Sequence, residues 1–502
     1  MGSNSEQHHN HQEHVLLFPY MAQGHIIPFM ELAKLIHHRR RCTITVVSTP
    51  SNIRALTSSF PSTPTFRLVP LPFDPTHHSL PSSSESTDTL PLHHLVNLFH
   101  ASRSLRPAFS ALLSDILSSP SAPSRLCVIA DVFTSWACEI ADSLGVYHAV
   151  FTTGGGYGTT AYFSLWQHLP HARTDADEFS VPGFPDSFRL RRSQLSSYMR
   201  AADGADRWSA FFQPAIATSL KSKSMLCNSV EEVETTGFRL LRDYTGLRVY
   251  DVGPLLPFPD DKKSSYKRAG KAHGLSVDAC VEWLDAHPPN SVLYVSFGSQ
   301  NSISARQMME LAKGIEASGK AFIWVIRPPV EFDIGGEFKN EWLPEGFEER
   351  ARERARGVLV RDWAPQLEIL SHASTGAFLS HCGWNSALES LSRGVPMIGW
   401  PMAAEQFYNS VMLEGELGVC VEVARGKEVV VSGEEVERVV REVMGGERGV
   451  EMRRRAVEVR GLFEEAMREG DGETKGSSLR AIDEFLEVAL SGKSEMNGGC
   501  LN

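Results

Sequence analysis

Short apolar runs alternate with longer amphipathic stretches along most of the chain. That alternation predicts repeated βαβ units and parallel sheets. The first run, His14-Val15-Leu16-Leu17-Phe18, stops at Pro19, and a glycine-containing turn follows at Met21–His25. Residues 28–37 then place Phe29, Leu32, Ala33, Leu35 and Ile36 at helical spacing, with Pro28 suited to the first turn. Further strands are predicted at 43–47, 66–70, 126–130 and 146–151. The pattern breaks over 253–273, where Pro254, Pro257 and Pro259 precede the polar run Asp260–Ser265. Such a composition predicts an exposed connection. Beyond it strands are expected at 291–296, 321–326, 357–361, 375–381 and 395–400. Helices are expected at 280–284, 307–317 and across 432–490, where Val436, Val439, Val440 and Val443 share one face.

The fold class predicted is α/β, with two Rossmann-like, doubly wound parallel-sheet domains facing across a cleft. A polar, disordered tail spans 1–13, the first domain 14–252, a linker 253–275 and the second domain 276–480. Residues 481–502 are expected to form a helix and tail that pack back on the first domain. Ligands of doubly wound sheets sit at the carboxyl ends of the strands, which puts the expected site in the cleft.

Composition narrows the classes of function. At roughly 150 residues per domain, 502 residues allow two to four domains. Lys and Arg number 49 against 60 Asp and Glu, a net charge of −11, which excludes a nucleic-acid-backbone binder but leaves room for one small anionic ligand. With 42% hydrophobic and 22% charged residues the chain is globular rather than disordered. The His-rich N-terminus lacks the basic and apolar regions of a signal peptide, and no apolar run reaches the length of a membrane span. Eight cysteines stand without a C-x-x-C pair, and no N-x-S/T sequon occurs. These features predict reduced thiols in a cytoplasmic, monomeric protein with no nucleic-acid partner and no integral membrane segment.

Two candidate motifs carry little weight. Gly154-Gly155-Gly156 lacks the spacing of a dinucleotide-binding loop. Asp175-Ala176-Asp177 lies in a polar stretch and is read as a solvated loop rather than a metal–nucleotide motif, so no metal site is expected.

Residues 363–406 carry most of the chemistry. They read WAPQLEILSHASTGAFLSHCGWNSALESLSRGVPMIGWPMAAEQ. Residues 375–380 form a buried strand, His381-Cys382-Gly383 a turn, and Trp384 opens a helix. The first N–H groups of a helix lack internal partners and carry partial positive charge, which suits an anion such as a pyrophosphate. Gly383 permits close backbone approach, and His381, Asn385 and Ser386 add side-chain hydrogen bonds. Trp363 offers a flat indole for stacking on a base, and the Ala364 backbone and Gln366 side chain are expected to read the base edge and the nearby ribose. Glu389 sits one turn beyond Asn385 on the same helix. Glu405 and Gln406 form an acid–amide pair, whose amide both donates and accepts.

This block resembles the signature box of plant family 1 UDP-dependent glycosyltransferases over all 44 of its positions, 363 to 406 inclusive. The resemblance extends from the early Gly24-His25-x-x-Pro28 to the C-terminal helices. It implies a GT-B fold and inverting transfer of a sugar from a UDP-sugar to a small hydroxylated acceptor, with no metal or other cofactor. It further implies that Glu389 accepts from the ribose hydroxyls and that Glu405 and Gln406 hold the sugar hydroxyls. Many relatives carry Asp where Glu405 stands. Gln406 fits glucose better than galactose, which makes UDP-glucose the expected donor. Ser299 matches a serine near the diphosphate, and Thr153 a residue near the sugar, with Thr152 one place away. His25 matches the general base, and Asp131, in a D-x-F-x-x-W pattern with Phe133 and Trp136, matches the acid that orients it. A base is needed because an alcohol or phenol is a weak nucleophile at neutral pH, and the imidazole, with a pKa near ~6.5, suits the task.

The acceptor implied is a lipophilic plant metabolite such as a flavonoid, phenolic, terpenoid or hormone. Its pocket is expected within residues 70–220, with Phe99, Phe133, Tyr157, Phe163 and Trp166 as candidates, although base rates place each in the core. Two alternatives compete: a GT-B sugar-nucleotide epimerase and a UDP-sugar-binding protein without transferase activity. The His25–Asp131 pair favours transfer, since only an incoming alcohol needs a base.

Overall fold

The computed structural model describes residues 13–491 apart from positions 83, 88, 89, 91–93, 257–273, 334, 335, 362 and 427. Residues 1–12 of the predicted N-terminal tail, most of the expected linker and residues 492–502 therefore lie outside the described residues, and Glu13, placed in that tail, begins the first strand.

The first sheet consists of β1 (Glu13–Phe18), β2 (Thr43–Ser48), β3 (Phe66–Pro70), β4 (Arg125–Asp131), β5 (Tyr147–Thr152), β6 (Ser224–Cys227) and β7 (Val249–Asp251), in the order β3-β2-β1-β4-β5-β6-β7. The second holds β8 (Val292–Ser296), β9 (Ala321–Val325), β10 (Gly357–Val360), β11 (Thr375–Ser380), β12 (Met397–Gly399) and β13 (Cys420–Glu422), in the order β10-β9-β8-β11-β12-β13. Every pairing in both is parallel. Counted from its own first strand, each sheet follows the doubly wound order 3-2-1-4-5-6, which reverses between its first and fourth strands. At that reversal the strand ends are level: Phe18 faces Ala130 in one sheet and Ser296 faces Ser380 in the other.

Continuous apolar strands follow from coverage on both faces. In β1, Leu16 and Phe18 enter the core on one side, and Val15 and Leu17 the core on the other.

The helices that shape the site are α1 (Gln23–Arg40), α2 (Gly156–His168), α3 (Gln366–Ser371), α4 (Trp384–Leu391) and α5 (Gln406–Gly415). The C-terminal stretch forms α6 (Gly433–Gly445), α7 (Glu447–Ala466) and α8 (Ser477–Leu490). Ser432 caps α6 by accepting from the Glu435 N–H, and Val436, Val439, Val440 and Val443 are all buried. None of the described helices is long and apolar enough to cross a membrane.

Two boundaries differ from the sequence expectation. α1 begins at Gln23 rather than Pro28, so the expected turn is the helix's first turn and Pro28 lies inside the helix. A proline there cannot donate to the carbonyl four residues back, that of Gly24. The Gly24 oxygen instead accepts from Asn385 Nδ2 at 2.8 Å, from the other half of the molecule. α8 begins at Ser477, four residues before 481, and covers the first sheet: Leu479, Ile482, Phe485 and Leu486 share a core with Val15 and Tyr250. Arg39 of α1 clamps it by donating to both carboxylate oxygens of Asp483, at 2.9 and 2.6 Å.

Candidate active site

The two reversal points face each other across a cleft of about 680 Å³. Every residue singled out in the sequence for catalysis or for the UDP-sugar lines this cleft. Residues from both sheets meet there because each connection after a strand's carboxyl end opens into the same space.

His25 is the third residue of α1, and Asp131 is the last residue of β4. Their side chains meet at 2.6 Å, Nδ1 to Oδ2. The other Asp131 oxygen accepts from the Phe133 N–H at 2.9 Å, which fixes the carboxylate in one orientation. An ionised carboxylate can only accept, so the His25 proton sits on Nδ1 and the Nε2 lone pair is left for chemistry. Burial would push the imidazole down. The Asp131 charge and hydrogen bond, with Glu405 adding, overcome it and hold His25 above its ordinary value.

On the opposite wall, His381 follows β11 and is wedged between two glycines. A Cβ on Gly383 would come within 2.5 Å of His381 Nε2, and one on Gly298 within 2.8 Å of the same ring. The room left by Gly383 therefore goes to the imidazole, and the left-handed residue of the turn is Cys382, at φ 61°. Burial lowers His381 to about 4, so the ring is neutral at physiological pH. Trp384 turns its indole away from the cleft and donates to the Asn228 carbonyl at 2.7 Å, leaving only its backbone on this wall. Asn385 commits Nδ2 to Gly24, the neighbour of His25.

Gln366 is hydrogen-bonded on both sides of its amide. Its oxygen accepts from the Tyr294 hydroxyl at 3.0 Å, and its amide nitrogen donates to Glu389 and reaches Ser386 Oγ at 3.4 Å. The side chain thus joins Tyr294, Ser386 and Glu389 on the cleft wall. Trp363, Ala364 and Ser299 line the cleft beside this network. Gln406 departs from expectation. Its oxygen accepts from the Met402 and Ala403 N–H groups at 3.0 and 2.9 Å. Only its NH₂ remains for a ligand, so Glu405 and Gln406 offer one acceptor and one donor. Burial raises the Glu405 carboxyl, against its own and the Trp384 backbone N–H groups and the His25 charge.

The triple glycine positions Thr153. The buried Glu234 carboxylate accepts from the N–H groups of Gly156 and Tyr157, both at 3.1 Å, and from the Ser229 hydroxyl. A Cβ on Gly155 would collide with that carboxylate. Burial raises Glu234 to about 7. The Thr152 hydroxyl pairs with Thr159 at 2.9 Å, which leaves Thr153 as the half-buried threonine on the cleft.

The wall beyond His25 is aromatic. Phe99, Phe133 and Phe163 line it as expected, but Tyr157 and Trp166 do not. Tyr157 packs edge-on against Phe184 and Phe188, and Trp166 is fully buried. Tyr20, Tyr162, Trp208 and Phe212 also line the cleft and were not anticipated. Their spacing in the chain carries no signal that separates a pocket wall from a core. Asp175 and Asp177 are exposed and do not reach the cleft.

Two doubly wound sheets meeting switch point to switch point, one with an oriented imidazole and the other with a neutral anion cradle, define a GT-B glycosyltransferase. Comparison with known proteins identifies the family. Residues 219–452 match the model described as UDP-glucoronosyl and UDP-glucosyl transferase. Crocetin glucosyltransferase 3 of Crocus sativus is 47% identical over 490 residues, covering 94% of this chain and 98% of its own. UDP-glycosyltransferase 92A1 of Arabidopsis thaliana is 42% identical over 489 residues, covering 96% and 98%. Among solved structures, Glycyrrhiza uralensis UGT73P12, complexed with glycyrrhetinic acid 3-O-monoglucuronide, superposes with a TM-score of 0.79 at 27% identity over 95% of each chain. Phytolacca americana UGT2, complexed with UDP-2fluoro-glucose and pterostilbene, gives 0.75 at 28% identity over 95% of this chain and 99% of that one. The chain belongs to the plant family 1 UDP-glycosyltransferases.

Proposed function

We propose that this UDP-glycosyltransferase moves glucose from UDP-glucose to a hydroxyl of a small lipophilic acceptor, with inversion and without a metal. The observation that carries the reading is the 2.6 Å His25–Asp131 pair, set between an aromatic wall and the anion cradle. His25 Nε2 takes the proton of the acceptor hydroxyl. The oxygen attacks the anomeric carbon from the face opposite UDP, and the bond to the diphosphate breaks. Protonated His25 is stabilised by Asp131. Charge gathering on the departing diphosphate meets the N-terminus of α4, neutral His381, and the Ser386 and Ser299 hydroxyls. Fixed neutral donors of this kind do the work a cation would otherwise do. Trp363 stacks on the uracil, and Glu389, held by Gln366, accepts from the ribose. Glu405 and the Gln406 NH₂ hold adjacent sugar hydroxyls, with Thr153 near the same sugar.

Glucose is supported by Gln406 and by the glucosyl transfer named for the Crocus relative. An apolar acceptor is supported by the ring-lined wall, and pterostilbene and the glycyrrhetinic acid conjugate in the two solved structures are of that character. The seven described cysteines are buried and unpaired, which fits action in the reducing cytoplasm, where the enzyme is proposed to work as a monomer.

The test is incubation with UDP-glucose and a panel of phenols, flavonoids, carboxylic acids and terpenoid alcohols, with and without EDTA, followed by mass spectrometry and anomeric NMR. A single β-linked hexose adduct that survives EDTA supports the proposal. An adduct that needs added metal, an α-linked product, or bound UDP-glucose with no adduct on any acceptor overturns the corresponding part. A second expected result concerns the cradle alone. Gly383→Ala drives the new methyl into His381 and should weaken UDP binding by about 10- to 100-fold, the worth of a hydrogen bond to a charged group. Isothermal calorimetry with UDP checks it, and an unchanged affinity would remove His381 from the phosphate site.

A further inference from the structure

The segment 402–406 carries the acid–amide pair. It crosses between the halves: Met402 is buried in a core of the second half, whereas Ala404 packs against a core of the first. Phe407 and Tyr408, just after it, are buried in the same core as Trp166, Met199 and Phe212 of the first half. Gly158 on α2 marks the close approach: a Cβ there would collide with the Asn409 side chain on α5. Inside the turn, Gln406 satisfies the Met402 and Ala403 N–H groups. The next N–H, that of Ala404, donates across the interface to the Tyr198 hydroxyl at 3.0 Å. Ala404 has φ 51°, a left-handed conformation that a residue with a Cβ adopts at a cost. An external bond at this point therefore decides where Glu405 begins.

Tyr198 stands on the short helix Ser197–Arg200, capped by Ser196. Its ring stacks on Trp208 at 4.7 Å and on Trp166 at 6.2 Å, and it lines the cleft on the aromatic side. Packing immobilises the ring, so its hydroxyl is a fixed point against which the turn is set.

We propose that Tyr198 is a positioning residue for the donor sugar. Its hydroxyl holds Ala404, and through Ala404 it places Glu405 and Gln406, from the wall of the acceptor pocket. This rests on the reading of Glu405 and Gln406 as the sugar-holding pair. The uridine diphosphate is held elsewhere, by the His381 cradle and the Gln366–Glu389 network, so Tyr198 acts on the sugar alone.

The test compares calorimetric dissociation constants for UDP and for UDP-glucose in the wild type, Tyr198→Phe and Gln406→Ala. The ratio of the two constants isolates the sugar. Tyr198→Phe keeps the ring and its stacking, so UDP affinity should be unchanged. UDP-glucose affinity should fall about two- to tenfold, the worth of one neutral hydrogen bond. In turnover, the KM for UDP-glucose should rise while that for the acceptor stays put; Tyr198→Ala should impair both, with phenylalanine restoring the acceptor part. Equal weakening of UDP and UDP-glucose by Tyr198→Phe would mean a general structural role and overturn the proposal. An unchanged ratio in Tyr198→Phe beside an altered one in Gln406→Ala would also overturn it, with the sugar pair intact. An unchanged ratio in both variants would overturn the sugar pair and the Tyr198 link together.

Discussion

Replacing His25 with alanine should lower kcat/KM for glucosyl transfer by about 10²–10⁴-fold, the usual worth of a positioned general base. UDP affinity should be unchanged, because the cradle that faces UDP stands on the opposite sheet. The size of the loss should depend on the acceptor. An alcohol keeps its proton at neutral pH and needs Nε2 to remove it, whereas an acidic phenol is partly ionised beforehand and needs less help. Rates for the variant across acceptors of graded acidity should therefore converge on the wild-type rates at the acidic end. Rapid-quench kinetics with such a series measures this directly. A loss of less than tenfold for a simple alcohol would remove His25 from the base role.

Replacing Asp131 with asparagine should be nearly as damaging, although the shape is the same. The Asp131 oxygen that accepts from the Phe133 N–H has to stay an oxygen. In asparagine the NH₂ is then turned toward His25 Nδ1, and as a donor it selects the tautomer with hydrogen on Nε2. The base loses its lone pair where the acceptor stands, and the imidazolium loses its counter-charge. We expect a fall in kcat/KM of about 10²–10⁴-fold. The pH profile should move as well. His25 is held above its ordinary value by Asp131 against the opposing effect of burial, and only its neutral form is a base. The wild-type rate should therefore rise through a pKa above ~6.5, and in Asp131→Asn the same limb should shift to lower pH. Profiles of kcat/KM against pH decide the point. Superimposable profiles would show that Asp131 does not set the His25 charge.

Much of this site was legible before any fold. The box 363–406 is local: strand, turn and helix start lie within a few residues, and their roles follow from residue type and order. His25 and Asp131 each stood at a strand end, where doubly wound sheets gather function. Other features were illegible for a physical reason. Pro28 read as a first-turn proline because the donor that replaces its missing N–H, Asn385, lies 361 residues beyond its acceptor Gly24. The bonds of Gln366 to Tyr294 and Glu389 could not be read from the sequence because those partners come from other elements. Tyr20, Tyr162, Trp208 and Phe212 look like core residues in any window, since a pocket wall and a core use the same rings.

The sequence by itself determined two parallel α/β halves, and it singled out the turn at 381–386 and the His25–Asp131 pair that the fold brings to one cleft. These rest on periodicity, composition and short-range order, which the chain carries locally. Only the tertiary structure decided which side-chain atoms remain free to act. It gave the Gln366 amide to Glu389, the Gln406 oxygen to its own turn, the Asn385 amide to Gly24 and the Ala404 N–H to Tyr198. Each assignment is a hydrogen bond between groups brought together by packing, and it takes up one donor hydrogen or lone pair that a substrate could otherwise use.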